Sequence, residues 1–479
     1  MLILNMFYYS TRNNNNKANF AAAALTGLAP DGGLFVPEEI PQYPANVKSS
    51  LDSMNFCDIA LETIKPYVQG EIPNSALSDI VHSAFTFTAP FVAVADRFTA
   101  ELFHGPTAAF KDFGARFMAR AFSYLRRGED RPLRILVATS GDTGGAVADG
   151  FFNVEGISVT VLYPKGRVTP LQEKQIAGLG KNISALAVEG SFDDCQRLVK
   201  AALADESLKK KTALSSANSI NISRLIPQIV YYSAAAGKAF AGKTDPDGEA
   251  TPRLTSQTSL TGQPSQFASQ TERTLSNRVT QTPRKGMPVT LCVPSGNFGN
   301  LTAGLYAMKM GAPIRRFIAA TNMNKTVPDY LNSGEYKARD SQATISNAMD
   351  VGAPSNFERM SAHFTLDEMR QIMTGVHVTD DETRETIKRV YEQTGYFLCP
   401  HSAVGWKGTE KLQAENKIEA GAIGILCTAH PAKFSEVVQP LAGSPPVPAS
   451  LSRAMERTAH AKTIPADVSA LKDFLNEIS

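Results

Sequence analysis

From about Arg131 onward, short apolar runs alternate with helical segments, and this alternation limits the possible folds more than any other feature. The runs cover 133–138 (LRILVA), 157–163, 183–188, 289–293, 314–320 and 423–427, and 212–216 leads into a further helix. Helical spacing of apolar residues follows them from Ala146 onward, at 170–179, at 192–203, near 223–238, through Met310 and at 382–394. Short runs that are apolar throughout suit strands buried on both faces. Strand, loop and helix in repeated order predict an α/β fold with a mostly parallel sheet covered on both sides. Ligands of such sheets bind beyond the carboxyl ends of the strands. Three special loops directly follow strands there: 139–145 (TSGDTGG), 295–300 (SGNFGN) and 428–434 (TAHPAKF).

The first ninety residues read differently. Segments 20–26, 56–64 and 74–85 are expected helices, the first stopped by Gly27 and Pro30 and the second near Pro66. The stretch 28–41 (LAPDGGLFVPEEIP) is rich in turn residues and reads as too irregular for a regular element. At 241–285 the chain is rich in Ser, Thr, Gln and Pro and poor in large apolar residues. Such a segment buries too little surface to offset its ordering entropy, so a disordered surface insertion is expected.

A chain of 479 residues allows two or three domains. Its net charge of +2 gives no reason to expect a nucleic acid or a membrane surface as partner. The five cysteines are far apart and form no CxxC pair, so buried free thiols are expected rather than a disulfide framework. No apolar run approaches the roughly 18 residues of a membrane span. The opening MLILNM is too short for a signal-peptide core, and a cytoplasmic location is expected. His104, His401 and His430 each adjoin glycine or proline without metal-ligand spacing; structural or pocket-lining roles, and no metal, are expected.

The densest concentration of chemical signals is 104–114, HGPTAAFKDFG, which sets Lys111 between Phe110 and Phe113 among small residues. A helix-start lysine with its stem on an apolar patch would fit. So would a lysine that forms an imine with an aldehyde cofactor, which needs a partly dry pocket to lower its pKa. In SGNFGN, the glycines and the following helix N-terminus suit a phosphate, although a plain tight turn is equally compatible. It lacks the lysine of a P-loop and the spacing of a dinucleotide fingerprint. TSGDTGG adds Ser140, Asp142 and Thr143 and could grip a carboxylate, or Asp142 could simply cap the helix. SANSINISR (216–224) gathers Asn218, Ser219, Asn221 and Arg224, either as a phosphate grip or as a capped helix with a surface arginine.

In this order, these runs resemble the threonine synthases, pyridoxal-phosphate enzymes of the tryptophan-synthase-β fold. The matching stretches are 25–41 (LTGLAPDGGLFVPEEIP), HGPTAAFKDFG, TSGDTGGA, 215–228 (SSANSINISRLIPQ), VPSGNFGN, 317–331 (FIAATNMNKTVPDYL), 346–359 (SNAMDVGAPSNFER) and TAHPAKF. They span nearly the whole chain apart from its first residues and the 241–285 insertion. The lysine motif together with TAHPAKF is specific to this branch. Single glycine loops are shared with serine and threonine dehydratases and tryptophan synthase. Recognisable sequence begins only after Met6, which is therefore a second candidate for the first residue.

The resemblance implies pyridoxal-phosphate fold type II: two open, mostly parallel sheets with helices on both faces, plus a mainly helical N-terminal region. It suggests a flank at 1–95, a smaller α/β domain with the cofactor lysine at 96–240, the insertion at 241–285, and a larger α/β domain with C-terminal helices at 286–479. It implies that Lys111 carries pyridoxal 5'-phosphate. Gly296, Asn297, Phe298, Gly299 and Asn300 would bind the cofactor phosphate, and Thr428 the pyridine nitrogen. Ser140, Gly141, Asp142 and Thr143 would take the substrate carboxylate, and Asn218, Ser219 and Arg224 the substrate phosphate. Dehydratase relatives have Asn at the place of Asp142, and Lys325 stands where relatives often have an acid. The implied reaction converts O-phospho-L-homoserine and water to threonine and phosphate, in a monomer or homodimer. A dehydratase would need no second phosphate site. A regulatory protein with a degenerate site would not need Lys111, SGNFGN and Thr428 intact.

Overall fold

The computed structural model describes residues 6–245, 283–419 and 421–477. Among them, fourteen strands form three sheets. In chain order, β1 to β14 are Tyr8–Ser10, Lys17–Ala18, Phe35–Pro37, Phe91–Val94, Arg97–Glu101, Leu133–Ala138, Ile157–Pro164, Ile183–Glu189, Ala213–Ser216, Val289–Pro294, Ile314–Thr321, Met373–His377, Ile423–Cys427 and Lys462–Pro465. The smaller main sheet has the order β14-β8-β7-β6-β9 and is parallel throughout. The larger has the order β12-β11-β10-β13-β5-β4, parallel except for β4 against β5. Every residue of β6 and of β13 is buried, as expected of nearly continuous apolar runs; the one charged residue among them is Arg134.

The two sheets are joined where the chemistry-bearing residues lie. Strand β5 ends at Glu101 in the larger sheet, and the helix Lys111–Leu125 leads into β6 of the smaller one. Lys111 therefore starts the element that crosses between sheets. Phe113, two residues on, is buried against Phe56, Phe85, Phe87 and Tyr231 at ring distances of 5.5, 6.0, 4.8 and 5.2 Å. Burying such a ring contributes about 2–3 kcal/mol and fixes the first turn of the helix. Gly114 lets this turn approach the helix Ile222–Leu225: a Cβ there would lie 2.7 Å from the Arg224 carbonyl oxygen.

Three expectations need correction. The stretch 28–41 contains β3, which pairs antiparallel with β1; three residues are too few for alternation to show in the sequence. Residues 462–465, expected with the larger domain, extend the smaller sheet as β14 beside β8. The helix Val468–Glu477 that follows packs Leu471, Phe474 and Leu475 into the cluster holding Leu198 and Val199. Only Ile464 of β14 is buried, so no apolar run announces it. Finally, β4 and β5 lie in the larger sheet, although the boundary near residue 95 separates them and assigns neither to that domain.

Residues 246–282 of the expected insertion lie outside the described residues. At its root, Asp245 is bonded to the Phe91 backbone in both directions at 2.8 Å and pairs with Lys238. Cys57 is partly buried, the other four cysteines are buried, and all five are free. No helix among the described residues is long and apolar enough to cross a membrane.

Candidate active site

The backbone around Lys111 is laced to the segment after β13. The Phe110 N–H donates to the Thr428 carbonyl at 2.9 Å, and the His430 N–H to the Ala108 carbonyl at 3.0 Å. Ala108 holds a left-handed φ of 54° while fully buried. Such conformations cost about 1–3 kcal/mol and persist where surrounding contacts over-determine them. Asp112 is buried and accepts from the Thr107 N–H and hydroxyl at 2.9 and 2.6 Å, tightening the same turn. Burial pushes its carboxyl up to about 6, against those hydrogen bonds. The Lys111 side chain is only 13% exposed. Its Nζ lies 4.7 Å from the centre of the Phe110 ring. Burial lowers its pKa; Asp142 opposes this, while Lys433 and Arg224 reinforce it.

Asp142 begins the helix Asp142–Phe151, just beyond β6. Its Oδ1 accepts from Lys433 Nζ at 2.8 Å and from Gln172 Nε2 at 3.0 Å, and its Oδ2 lies 3.7 Å from Lys111 Nζ. Burial alone would raise its pKa, but Lys433 and Lys111 outweigh that and hold it well below the usual carboxylate range. Lys433 is fully buried and also donates to the Thr107 carbonyl at 2.7 Å. Thr139 supports the loop: its hydroxyl accepts from the N–H groups of Gly141 and Gly144, both at 2.9 Å.

The loop after β10 is built without ionisable side chains. Phe298 adopts a left-handed conformation (φ 59°) as the cap of the helix Gly299–Met310. Gly296 is obligatory for close approach: a Cβ there would lie 2.7 Å from Met349 Cα and 2.8 Å from the Ala348 carbonyl. Asn297 donates to the Ser219 hydroxyl at 2.6 Å and accepts from the Ser355 N–H at 2.5 Å. Asn300 accepts from the hydroxyls of Tyr231 and Tyr232 at 2.5 and 2.8 Å.

The run after β9 brings Ser219 and Arg224 to the same place. Arg224 is buried, donates from Nη1 to the Ala217 carbonyl at 2.7 Å, and has its pKa lowered to about 10 by burial. Asn218 is turned away from a free role. Its amide bonds the Ala138 backbone in both directions at 3.2 and 2.6 Å, closing the end of β6.

All the residues given a cofactor or substrate role by the resemblance, except Gly141, line one cavity of about 130 Å³ at the strand ends; Gly141 lies between two that do, and Asn221, His104 and His430 are not part of the lining. His401, expected in a structural or pocket-lining role, does line the cavity, whereas Lys433, Gln172 and Arg359 are not singled out in the sequence. Arg359 is buried and clamps the Phe35, Ser219 and Ile220 carbonyls. His401 lines the cavity and accepts from the Ala348 N–H at 3.2 Å. Burial, with Lys111 and Lys433, keeps its pKa down at about 4 against Asp142. Lys433 stands inside the quoted TAHPAKF between Ala432 and Phe434, and a lysine with an apolar residue on each side is a usable signal. Among the described residues, no group of three or more His, Cys, Asp or Glu could hold a metal ion.

The donor set fits a phosphorylated aldehyde. A buried lysine of lowered pKa faces the cavity, and a helix N-terminus opens onto it. Two buried donors, Asn300 Nδ2 and Arg224 Nε, have no hydrogen-bond partner among the described residues. Buried donors are costly unless something pairs with them.

Comparison with known proteins agrees with this chemistry. The family described as "Threonine synthase N terminus" matches residues 7–85, "Pyridoxal-phosphate dependent enzyme" matches 98–236 and 263–429, and "Threonine synthase, C-terminal" matches 402–475. The chain is 38% identical to threonine synthase of Escherichia coli (strain K12), over 98% of this chain and 99% of that one. It is 40% identical to that of Haemophilus influenzae over 94% of each. The crystal structure of the Escherichia coli enzyme superposes with a TM-score of 0.83 at 36% identity, covering 99% of this chain and 100% of that one. A pyridoxal-phosphate-bound threonine synthase from Brucella melitensis gives 0.81 at 34%, covering 98% and 99%. A tomato threonine deaminase, 16% identical with a TM-score of 0.52 over 77% of this chain and 88% of that one, shares the fold alone. The chain belongs to the threonine synthase family of pyridoxal-phosphate-dependent enzymes.

Proposed function

We propose that this chain converts O-phospho-L-homoserine and water to L-threonine and phosphate, with Lys111 as its catalytic residue. The observation that carries the reading is the meeting of Lys111, the N-terminus of the helix Gly299–Met310 and the buried Arg224 in one cavity. One phosphate belongs to the cofactor, and Arg224 supplies a site for another. A dehydratase acting on an unphosphorylated substrate has no use for the second.

Pyridoxal phosphate, when bound, supplies an electron sink next to the substrate α-carbon. The backbone of 296–300 would hold its phosphate, and Thr428 its ring nitrogen. Ser140, Gly141 and Thr143 hold the substrate carboxylate through hydroxyls and backbone N–H groups at the helix N-terminus. The Asp142 carboxylate does not join them, since it is ionised and engaged with Lys433 and Gln172. Ser219 and Arg224 hold the substrate phosphate, and Asn218 fixes the loop that presents them. Lys111, poor in protons because it is buried beside other cations, moves protons at the α- and β-carbons. Arg224 stabilises the phosphate as its bond to the γ-carbon breaks; the γ-carbon then takes up a proton in place of the one lost from the β-carbon, and water adds at the β-carbon. We place this activity in the cytoplasm, in a monomer or homodimer.

The test is release of phosphate from O-phosphohomoserine with threonine measured in the same tube, for wild type and Lys111→Ala. Equal amounts of both products from wild type and neither from the variant are expected. Phosphate without threonine would mean elimination without hydration. No turnover by a folded, yellow wild type would return the substrate assignment to the dehydratases.

A further inference from the structure

Lys433 stands out among the groups that the proposed chemistry leaves unused. It is a fully buried lysine behind the cavity, bonded to Asp142 Oδ1 at 2.8 Å and to the Thr107 carbonyl at 2.7 Å. The other oxygen of that carboxylate lies 3.7 Å from Lys111 Nζ. One buried anion is thus shared by two lysines, and the shares are unequal. Lys433 has the shorter contact, and Gln172 reinforces it on the same oxygen at 3.0 Å.

We propose that Lys433 is a positioning residue: as a fixed internal cation it neutralises Asp142, so that the Lys111 amine is held in place by that carboxylate without being kept protonated by it. This rests on the reading of Lys111 as the residue that captures the cofactor.

The argument is one of charge balance. A lone buried carboxylate beside Lys111 would favour the ammonium form, which is neither a nucleophile nor a base. An asparagine would avoid this but would not grip a lysine as strongly. An aspartate backed by a second lysine keeps a charged anchor and cancels its field. The groups facing Lys111 are Asp142 from the helix Asp142–Phe151, Lys433 from the turn Pro431–Phe434, Arg224 from Ile222–Leu225, and His401 from Pro400–Ala414. Asp112, on Lys111's own helix, is turned to Thr107. With His401 neutral, Lys433 and Arg224 oppose the single charge of Asp142 at Lys111. Lys433 also joins Thr107, in the loop before Lys111, to the turn after β13, so it sets the approach of the two segments as well as their charge.

The experiment follows covalent capture of pyridoxal 5'-phosphate by the cofactor-free protein from pH 6 to 10. Samples are trapped with borohydride and Lys111 is located by peptide mass. Capture needs the uncharged amine, so its rate falls below the amine's pKa. In Lys433→Met the midpoint should rise by roughly one pH unit, making capture near neutrality about tenfold slower. Lys433→Arg should keep the wild-type midpoint, and adding Asp142→Asn to Lys433→Met should bring it back down. A purely structural role would alter the amount captured and leave the midpoint unmoved; that outcome overturns the inference. Should Lys433→Met not fold, competitive methylation of wild-type protein decides. Lys111 should become reactive at a lower pH than exposed lysines, with Lys433 inert, and the reverse order overturns the proposal. If no variant and no wild type captures the cofactor on Lys111 at any pH, the reading of Lys111 itself fails, which is a different result.

Discussion

The loops at 139–145 and 295–300 share one backbone device and differ in how they are held. Each leaves the carboxyl end of a parallel strand, β6 or β10, turns on glycine and opens a helix. The first carries a buried charge: Asp142 has a lysine on each side and Gln172 on one oxygen. The second has no ionisable side chain and is fixed by amides, by Gly296 against the backbone at 348–349, and by a left-handed Phe298. An anion-receiving turn can be made from backbone donors alone. The charge in the first loop therefore serves Lys111 rather than an incoming anion, and the contrast can be broken at either loop.

The largest effect is expected at Asp142. Asp142→Ala strands Lys433 in the interior, and removing one partner of a buried pair typically costs about 3–5 kcal/mol. Denaturant unfolding should show that loss. Asp142→Ala combined with Lys433→Met removes both charges and should recover much of it. A double variant as unstable as the single one would mean that the pair matters by its shape and not by its charge.

Acid should act next, and on the first loop's side of the cavity. His401 faces Asp142 and Lys111 and is kept neutral by burial, with a pKa of about 4 against 6.5 in the unfolded chain. The unfolded state binds more protons throughout that interval, so the contribution is whole above pH 6.5 and is lost as pH falls towards 4. A shift of that size corresponds to about 3 kcal/mol. Asp142, whose pKa is lowered, keeps its own contribution until the pH falls below the ordinary carboxylate range. Melting temperatures measured from pH 7 to 4.5 should fall steadily for wild type. The fall should be shallower for His401→Asn, which keeps an acceptor for the Ala348 N–H. Parallel curves for the two proteins would remove His401 from the account.

What could be read beforehand divides along physical lines. Strands such as β6 and β13 are legible because they are buried on both faces and, Arg134 apart, carry no polar side chain. Strand β14 did not, because an edge strand buries only Ile464 and its membership depends on a partner some 270 residues earlier. At the site, glycine spacing and Lys111 were legible because backbone geometry and a crowded lysine leave local marks. For Asn218 the resemblance implies a place at the substrate phosphate; that its amide also closes the end of β6 is a contact with Ala138, eighty positions earlier, that no local pattern marks. Lys433 was in plain view, but its importance lies in Asp142, some 290 residues away in the chain. Pairings over that distance have no signature in a single sequence.

The smallest effect is expected in the uncharged loop, where it tests the contrast most sharply. Asn297 holds Ser219 at 2.6 Å and the Ser355 N–H at 2.5 Å, and so joins the loop at 295–300 to the run proposed to hold the substrate phosphate. Asn297→Ala removes two neutral hydrogen bonds, worth about 1–3 kcal/mol together, chiefly in the alignment of Ser219. The expected kinetic change is a several-fold rise in KM for O-phosphohomoserine with kcat nearly kept, because a misaligned hydroxyl weakens the bound substrate and the transition state alike. Asn297→Asp is nearly the same shape but puts a negative charge among groups proposed to receive phosphates. It should therefore raise KM well beyond the alanine variant and weaken cofactor retention, and added salt should relieve part of the deficit. If the two substitutions behave alike, charge at this loop is irrelevant, and its neutrality is an accident of packing. If aspartate is the worse of the two, then a negative charge is kept in the loop where two lysines face it and excluded from the loop where none does.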